Sequence, residues 1–242
     1  MDLLIVIITY NRLEYTKRTI QDLLDTIKIP HYILVVDNAS TDGTPEYLEK
    51  LLDKKKINGL VLNDDNYYPG KACNIGWEEG LEAYPQATHL MRLDNDFVLL
   101  KGWDTTAEKY FDKIDNLGQL GLDYDAIKDN KEHEKEYNGM ILNHWPGVVG
   151  GVNIIPKGLW DLGIRYEETR WIKKWEGISS PQEDSALSNN IKNWGFLVGH
   201  MQEKLAWTFA DETNWSDYPD YYIKTMSERG YDDLVRKIKG KK

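Results

Sequence analysis

Near its start the chain carries Leu3-Leu4-Ile5-Val6-Ile7-Ile8, a continuous apolar run rich in β-branched residues. Such a run has neither the alternation of a half-exposed strand nor a helical period, and it fits a strand covered on both faces. The next ninety residues build that one strand into a fold. Leu13, Thr16, Ile20, Leu23, Leu24 and Ile27 recur at helical spacing. Tyr32 to Val36 predicts a second buried strand, closed by the turn-rich Asp37-Asn38-Ala39-Ser40-Thr41-Asp42-Gly43. Thr44-Pro45 marks a helix start, with Tyr47, Leu48, Leu51 and Leu52 as its apolar face. Leu60-Val61-Leu62 predicts a third strand, residues 71–83 a helix, and His89 to Leu93 a fourth strand. Strands separated by helices require a parallel, right-handed α/β sheet, whose ligand site lies beyond the carboxyl ends of the strands. Thr9 to Arg12, Asp37, and Asp94 to Asp96 all fall at that edge.

At that edge Leu93-Asp94-Asn95-Asp96 places two carboxylates on either side of an asparagine. Side chains two apart on a strand share a face, so Asp94 and Asp96 are predicted to project together. Paired hard oxygen ligands suit Mg²⁺ or Mn²⁺, which keep waters and take further ligands from a substrate's phosphates. After the first strand stands Thr-Tyr-Asn-Arg rather than Gly-x-Gly-x-x-Gly, so a dinucleotide pyrophosphate has no glycine cradle, which counts against a dehydrogenase.

Composition narrows the function class. The 242 residues, 41% hydrophobic, suffice for one large or two small domains with a packed core. No apolar run approaches the roughly 18–20 residues of a membrane span, and the first residues lack a secretory leader's basic region and cleavage site. The single cysteine, Cys73, excludes an intramolecular disulfide and a cysteine-built zinc site. A reducing compartment fits, and a cytoplasmic location is expected. A net charge of −10 opposes general nucleic-acid affinity. Nine tryptophans and fifteen tyrosines supply flat rings for packing, or for stacking on bases and sugars.

The second half is less regular. Asp123 to Asn138 is dense in charge and predicts a solvated helix or mobile insertion. Val148 to Ile155 is a β-rich run interrupted by Gly150-Gly151, which predicts a bulge or close approach by a ligand. Ser180-Pro181-Gln182-Glu183 reads as a capping box, and residues 218–242 as a helical tail ending in lysines.

Taken in order, Ile7 to Arg12, Val35 to Thr44, Asn66 to Gly76, Leu93 to Asp96, Gly150-Gly151 and Glu183-Asp184 resemble the motifs of family 2 glycosyltransferases over roughly residues 3–200. The resemblance implies a GT-A fold (a Rossmann-like, mostly parallel sheet flanked by helices), a nucleotide-diphosphate sugar donor, foremost a UDP-sugar, and a divalent metal. Residues 1–98 would then be the nucleotide-sugar-binding half, 99–215 the acceptor-binding and catalytic half, and 216–242 the tail. Thr9, Tyr10, Asn11, Arg12 and Asp37 would form the uridine pocket. Asn66, Lys71 and Asn74 would belong to a loop and helix N-terminus that meets the donor. Asp96 would ligate the metal, with Asp94 on the ribose or a metal-bound water, and His200 lies where some relatives carry a further ligand. Asp184 would be the base that deprotonates the acceptor hydroxyl, supported by Glu183. The Gln-x-x-Arg-Trp motif of processive synthases is absent after Asp184, so a soluble, non-processive enzyme is expected. An inverting displacement is the simpler chemistry for a single base.

The acceptor (a glycan, a small molecule or nucleic acid) is open at this stage. Arg165, Arg170, Trp171, Lys173, Lys174 and Trp175 gather cations and rings just before the acidic pair. If helical, Trp171 and Trp175 share a face and Arg170 and Lys174 an adjacent one, either as a surface helix or as an acceptor platform. Only within the platform reading does a hydroxylated base in DNA enter as acceptor. Two other functions remain: a sugar-phosphate nucleotidyltransferase, which would want a glycine-rich triphosphate loop, and a non-catalytic nucleotide-sugar binder.

Overall fold

The computed structural model describes residues 1–127, 130–168, 183–210, 214–228 and 230–240. Its first half follows the predicted alternation: β1 (Leu3–Thr9), α1 (Leu13–Thr26), β2 (His31–Asp37), α2 (Thr44–Asp53), β3 (Gly59–Leu62), α3 (Tyr68–Ala83) and β4 (His89–Asp94). Then come β5 (Phe97–Leu99), α4 (Trp103–Lys113), β6 (Leu117–Gly121), β7 (Glu134–Tyr137), β8 (Met140–Asn143), β9 (Val152–Pro156) and α5 (Lys157–Asp161). The described remainder is α6 (Glu183–Asn193), β10 (Leu197–Met201), β11 (Ala206–Thr208), α7 (Pro219–Glu228) and α8 (Asp232–Gly240).

Nine strands form one sheet in the order β3-β2-β1-β4-β9-β6-β10-β8-β7, and β11 pairs with β5 apart from it. The β3-β2-β1-β4 block is parallel, and its register sets Thr9 beside Asp37 and Ile8 beside Asp94. The second half supplies the antiparallel part of this mostly parallel sheet. β9 runs antiparallel between β4 and β6, and β8 runs antiparallel to β10.

Alternate residues of β1 enter different cores, as a strand buried on both faces requires. Leu3, Ile5 and Ile7 join Ile20, Leu23 and Leu48 from α1 and α2. Leu4, Val6 and Ile8 join Ala72, Cys73 and Trp77 of α3 and Leu187 and Ile191 of α6. Each fully buried side chain of this kind is worth about 1.5–3 kcal/mol relative to exposure. Helix α3 lies against the sheet at backbone range. A Cβ on Gly76 would come within 2.6 Å of Val6 Cγ1, and one on Gly80 within 2.7 Å of Leu4 Cδ2.

Two expectations need correction, and a third, the helical tail, gains detail. Within 123–138 the described residues form two short 3-10 turns and then β7, which makes an edge hairpin with β8, rather than a helix. Gly150-Gly151 makes a close approach but is no bulge: it precedes β9, and Gly151 O accepts from Asp94 N–H at 2.8 Å. The tail is two helices packed together through Trp215, Tyr222 and Ile238, and it forms a wall of the central cavity. Ser180 to Gln182, and Arg170, Trp171, Lys173, Lys174 and Trp175, lie outside the described residues. Among the described residues no helix is long and apolar enough to cross a membrane.

Candidate active site

Two consecutive residues with positive φ, Asn11 (53°) and Arg12 (61°), turn the chain from β1 into α1. Such backbone is uncommon outside glycine and needs fixing from outside. The fixing is visible. Asn11 N–H donates to Ser40 Oγ at 2.7 Å, Thr41 N–H donates to Asn11 Oδ1 at 2.9 Å, and Asn95 Nδ2 donates to Asn11 O at 3.2 Å. The turn directs the Arg12 guanidinium to the end of β4, where NH1 donates to Asp96 Oδ2 at 2.9 Å and NH2 to Asn95 Oδ1 at 2.6 Å.

A second arginine, which the sequence reading passed over, organises the remaining acids. Arg92 lies two residues before Asp94 on β4, shares its face and is 2% exposed. Its Nε and NH2 grip both Asp94 oxygens at 2.8 and 3.0 Å, while NH1 donates to Asp184 Oδ1 at 2.7 Å. NH2 also stands 3.6 Å from Glu183 Oε1. The guanidinium lies 5.1 Å from the centre of the Tyr166 ring. Asp184 and Glu183 open helix α6, where a carboxylate is favoured by the helix dipole. Burial raises the Asp184 carboxyl to about 7, with Glu183 and Asp94 pushing the same way and Arg92 opposing. Burial also raises Asp96, against the pull of Arg12.

Arg12, Arg92, Asp94, Asp96, Glu183 and Asp184 line one cavity of about 570 Å³ at the carboxyl ends of the parallel strands. Tyr10, Asn38 and Asn66 extend it toward the β2 loop. Asp94 and Asp96 do converge, although β4 ends at Asp94 and Asp96 belongs to the following turn. Opposite the acids stand Trp215, Tyr221, Tyr222, Thr225 and Met226 from α7 and its approach. This wall is tied to the first helix and the loop before it. Tyr15 Oη donates to Asp217 Oδ2 at 3.0 Å, Glu14 N–H donates to Tyr218 Oη at 3.1 Å, and Lys224 Nζ donates to Tyr10 Oη at 2.7 Å. The Arg12 guanidinium sits 4.4 Å from the Tyr221 ring centre. Arg12 Nε and Tyr222 Oη are both buried, and the Tyr222 hydroxyl lies against the Arg12 guanidinium.

Other expected site residues lie outside the cavity lining. Asp37 is 1% exposed and locks its own loop, accepting from Thr9 Oγ1 at 2.7 Å, Ser40 Oγ at 2.6 Å and Ser40 N–H at 2.8 Å. Asn74 faces the Tyr166 segment, donating to Tyr166 O and Glu168 Oε1 and accepting from Tyr166 N–H. Lys71 rests 4.0 Å from the Tyr67 ring centre. His200 is buried in β10, where its ring would meet a Cβ on Gly121, and burial lowers it to about 4. Arg165 is stacked on Trp160. Gly150 and Gly151 do approach the acids: a Cβ would come 3.4 Å from Asp184 Oδ2 and 2.8 Å from Asp94 Oδ2, respectively.

Among the described residues no three of His, Cys, Asp or Glu converge as a ready metal cage. Mg²⁺ and Mn²⁺ at phosphate sites need only one or two carboxylates. Asp96 fits that requirement, since only its Oδ2 is engaged by Arg12 among the described residues, whereas both Asp94 oxygens are held by Arg92.

The sequence model of the family described as glycosyl transferase family 2 matches residues 4–173. No curated protein matches the chain in sequence. Among solved structures, a mannosyltransferase from Pyrobaculum calidifontis in complex with GDP-Man and Mn²⁺ superposes with a TM-score of 0.67 at 14% identity, over 97% of this chain and 64% of that one. S. aureus TarS 1-349 with UDP-GlcNAc gives 0.64 at 18% identity, over 93% and 64%. GalNAc-T7 with UDP, GalNAc and Mn²⁺ gives 0.61 at 15%, over 95% and 51%. The chain thus spans about half to two thirds of the length of these proteins. At these identities the likeness is one of fold, and the fold is GT-A.

Proposed function

The chain belongs to glycosyl transferase family 2, and from that premise we propose that it moves a sugar from a nucleotide-diphosphate donor to an acceptor hydroxyl. The observation that carries this reading is the meeting of Asp94, Asp96 and Asp184 in one cavity at the carboxyl ends of the strands. The cavity volume of about 570 Å³ is of the size that small-molecule and cofactor sites occupy. TarS with UDP-GlcNAc and GalNAc-T7 with UDP make a UDP-sugar the first donor to consider, and the P. calidifontis enzyme makes GDP-mannose the second.

In this reading the nucleotide lies on the Tyr10, Asn38 and Asn66 side, and its phosphates face Arg12 and Tyr222, a cation and a hydroxyl donor that suit an acceptor-rich group. A divalent ion, Mn²⁺ or Mg²⁺, held by Asp96 and the diphosphate would act as a Lewis acid, offsetting charge on the departing nucleotide. Asp184 accepts the proton of the attacking hydroxyl. A carboxyl at about 7 is matched to that task near neutral pH. One base opposite one leaving group describes an inverting displacement.

The test is a panel of UDP-glucose, UDP-GlcNAc and GDP-mannose, with Mn²⁺ and then with excess chelator. Nucleoside diphosphate release that stops with chelator supports the proposal. Pyrophosphate release would point instead to nucleotidyl transfer, and donor binding with no turnover to a binding protein.

A further inference from the structure

We propose that Arg92 is a positioning residue. By holding Asp184 Oδ1 with one arm and both oxygens of Asp94 with the rest of its fork, it fixes the donor-side and acceptor-side carboxylates to a single rigid plane and leaves Asp184 Oδ2 as the proton-accepting atom. The inference rests on the reading of Asp184 as the base.

Four observations support it. The Arg92 side chain is 2% exposed and rises from the middle of the central sheet, so it has little freedom to swing away. Its three contacts are spread over the whole fork, Nε and NH2 to Asp94 and NH1 to Asp184, which a lysine's point charge cannot reproduce. Tyr166, against which the guanidinium packs, is itself fixed: Asn153 Nδ2 donates to its Oη at 2.9 Å and Asn74 Oδ1 accepts from its N–H at 3.1 Å. Finally, Asp184 Oδ2 accepts no hydrogen bond among the described residues and faces Gly150, where a Cβ would stand 3.4 Å away.

In the transfer step the acceptor O–H gives its proton to Asp184 Oδ2. The oxygen lone pair forms the bond to the anomeric carbon while the bond from that carbon to the diphosphate oxygen breaks, and the electron pair leaves with the nucleotide. Arg92 exchanges no proton in this step. It acts by keeping Oδ2 pointed at the acceptor.

The experiment uses water as the acceptor. Nucleoside diphosphate release is measured with Mn²⁺ from whichever of UDP-glucose, UDP-GlcNAc and GDP-mannose the wild type turns over fastest. At saturating donor, Arg92→Lys is expected to lose about 10² in kcat, the scale of an ångström-sized misplacement, with donor KM changed by no more than about threefold. In an Asp184→Asn background the same substitution should cost less than about threefold, because residues that act as a unit are not additive. An equal loss in both backgrounds, or wild-type kcat for Arg92→Lys, overturns the proposal. Wild-type turnover by Asp184→Asn alone, or release from none of the three donors by wild type, instead overturns the function on which the proposal stands.

Should Arg92→Lys fail to fold, Gly150→Ala supplies a second route, since its methyl has room in the fold. It should leave UDP affinity by calorimetry unchanged and lower turnover by about tenfold, because the methyl stands against Oδ2 and pushes the incoming hydroxyl off line. Unchanged turnover overturns the assignment of Oδ2.

Discussion

The floor of the cavity comes from β4 and α6, and its side chains are charges held in pairs; the opposite wall comes from α7, and its side chains are mainly rings. Arg92 and Asp94 sit on β4 and Glu183 and Asp184 on the first turn of α6, with Arg12 and Asp96 on the turns that follow β1 and β4; Arg12, Arg92 and Glu183 are at most 9% exposed. The wall's groups sit on α7 and its approach, which pack on α8 and meet the first half through the side chains of Asp217, Tyr218, Tyr221 and Lys224. The contrast teaches how precision and ligand contact are divided. Chemistry needs fixed geometry and is placed where backbone and buried ion pairs enforce it. Contact with a ligand draws on rings and hydroxyls, and the wall supplies these from side chains such as Tyr221 and the buried Trp215 and Tyr222.

If that division is right, substitutions in the floor should act on the chemical step. Asp184→Asn should produce the largest effect, roughly 10²–10⁴ in transfer rate with donor and metal affinity retained. Transfer within a few-fold of wild type would mean that another group is the base. The same residue sets a pH dependence. Since the Asp184 carboxyl sits at about 7 in the free enzyme, kcat/KM should fall on the acid side of that pH as the carboxylate is protonated, and Asp184→Asn should lack that limb.

Asp96→Ala comes next. The loss of Lewis-acid stabilisation is worth on the order of several kcal/mol, so Mn²⁺-dependent donor binding and turnover should both drop while circular dichroism stays native. Full activity in this variant, or in wild type under chelator, would move the metal elsewhere. Tyr221→Ala tests the wall. Losing its cation–π contact with Arg12 should cost about 0.5–2 kcal/mol, read as a rise in donor KM with kcat nearly unchanged. A fall in kcat with constant KM would blur the distinction between floor and wall. Lys224→Met should be the mildest, about 1 kcal/mol or less in donor affinity for one lost hydrogen bond at the rim. A large loss would show that this rim contact holds the whole wall in place.

The first half of the fold could be read from sequence because parallel strands buried on both faces announce themselves as uninterrupted apolar runs. β1, β2, α1 and α2 lie where the pattern put them, and α3 begins at Tyr68, three residues before the predicted start. Asp94 and Asp96 were legible for a related reason, since strand ends are located once strands are, whereas Glu183 and Asp184 were reached only through the family resemblance. Arg92 was missed although a signal existed. A charge two residues before Asp94 in an otherwise apolar strand shares its face and must find a buried partner. Tyr221 and Tyr222 were passed over because their partners, Arg12 and Tyr10, are some two hundred residues away, and local periodicity does not encode such contacts. Asp37 and Asn74 show the opposite limit. Their residue types suit a ligand, and in the fold they also hydrogen-bond within the protein, which residue type alone does not reveal.

The close seat of α3 on the sheet carries a consequence for anyone improving this protein. A screen for thermostable variants would nominate its glycines first, because replacing glycine by alanine within an exposed helix gains about 0.8–1 kcal/mol in propensity. At Gly76 and Gly80 that rule reverses, since the added methyl would overlap Val6 and Leu4 of the central strand. To relieve the overlap the helix would have to lift, and its amino-terminal turn carries Tyr68 and Pro69 into the cavity lining. Stabilising libraries for this chain are therefore better aimed at the exposed faces of α2 and α8, leaving the glycines of α3 as they are.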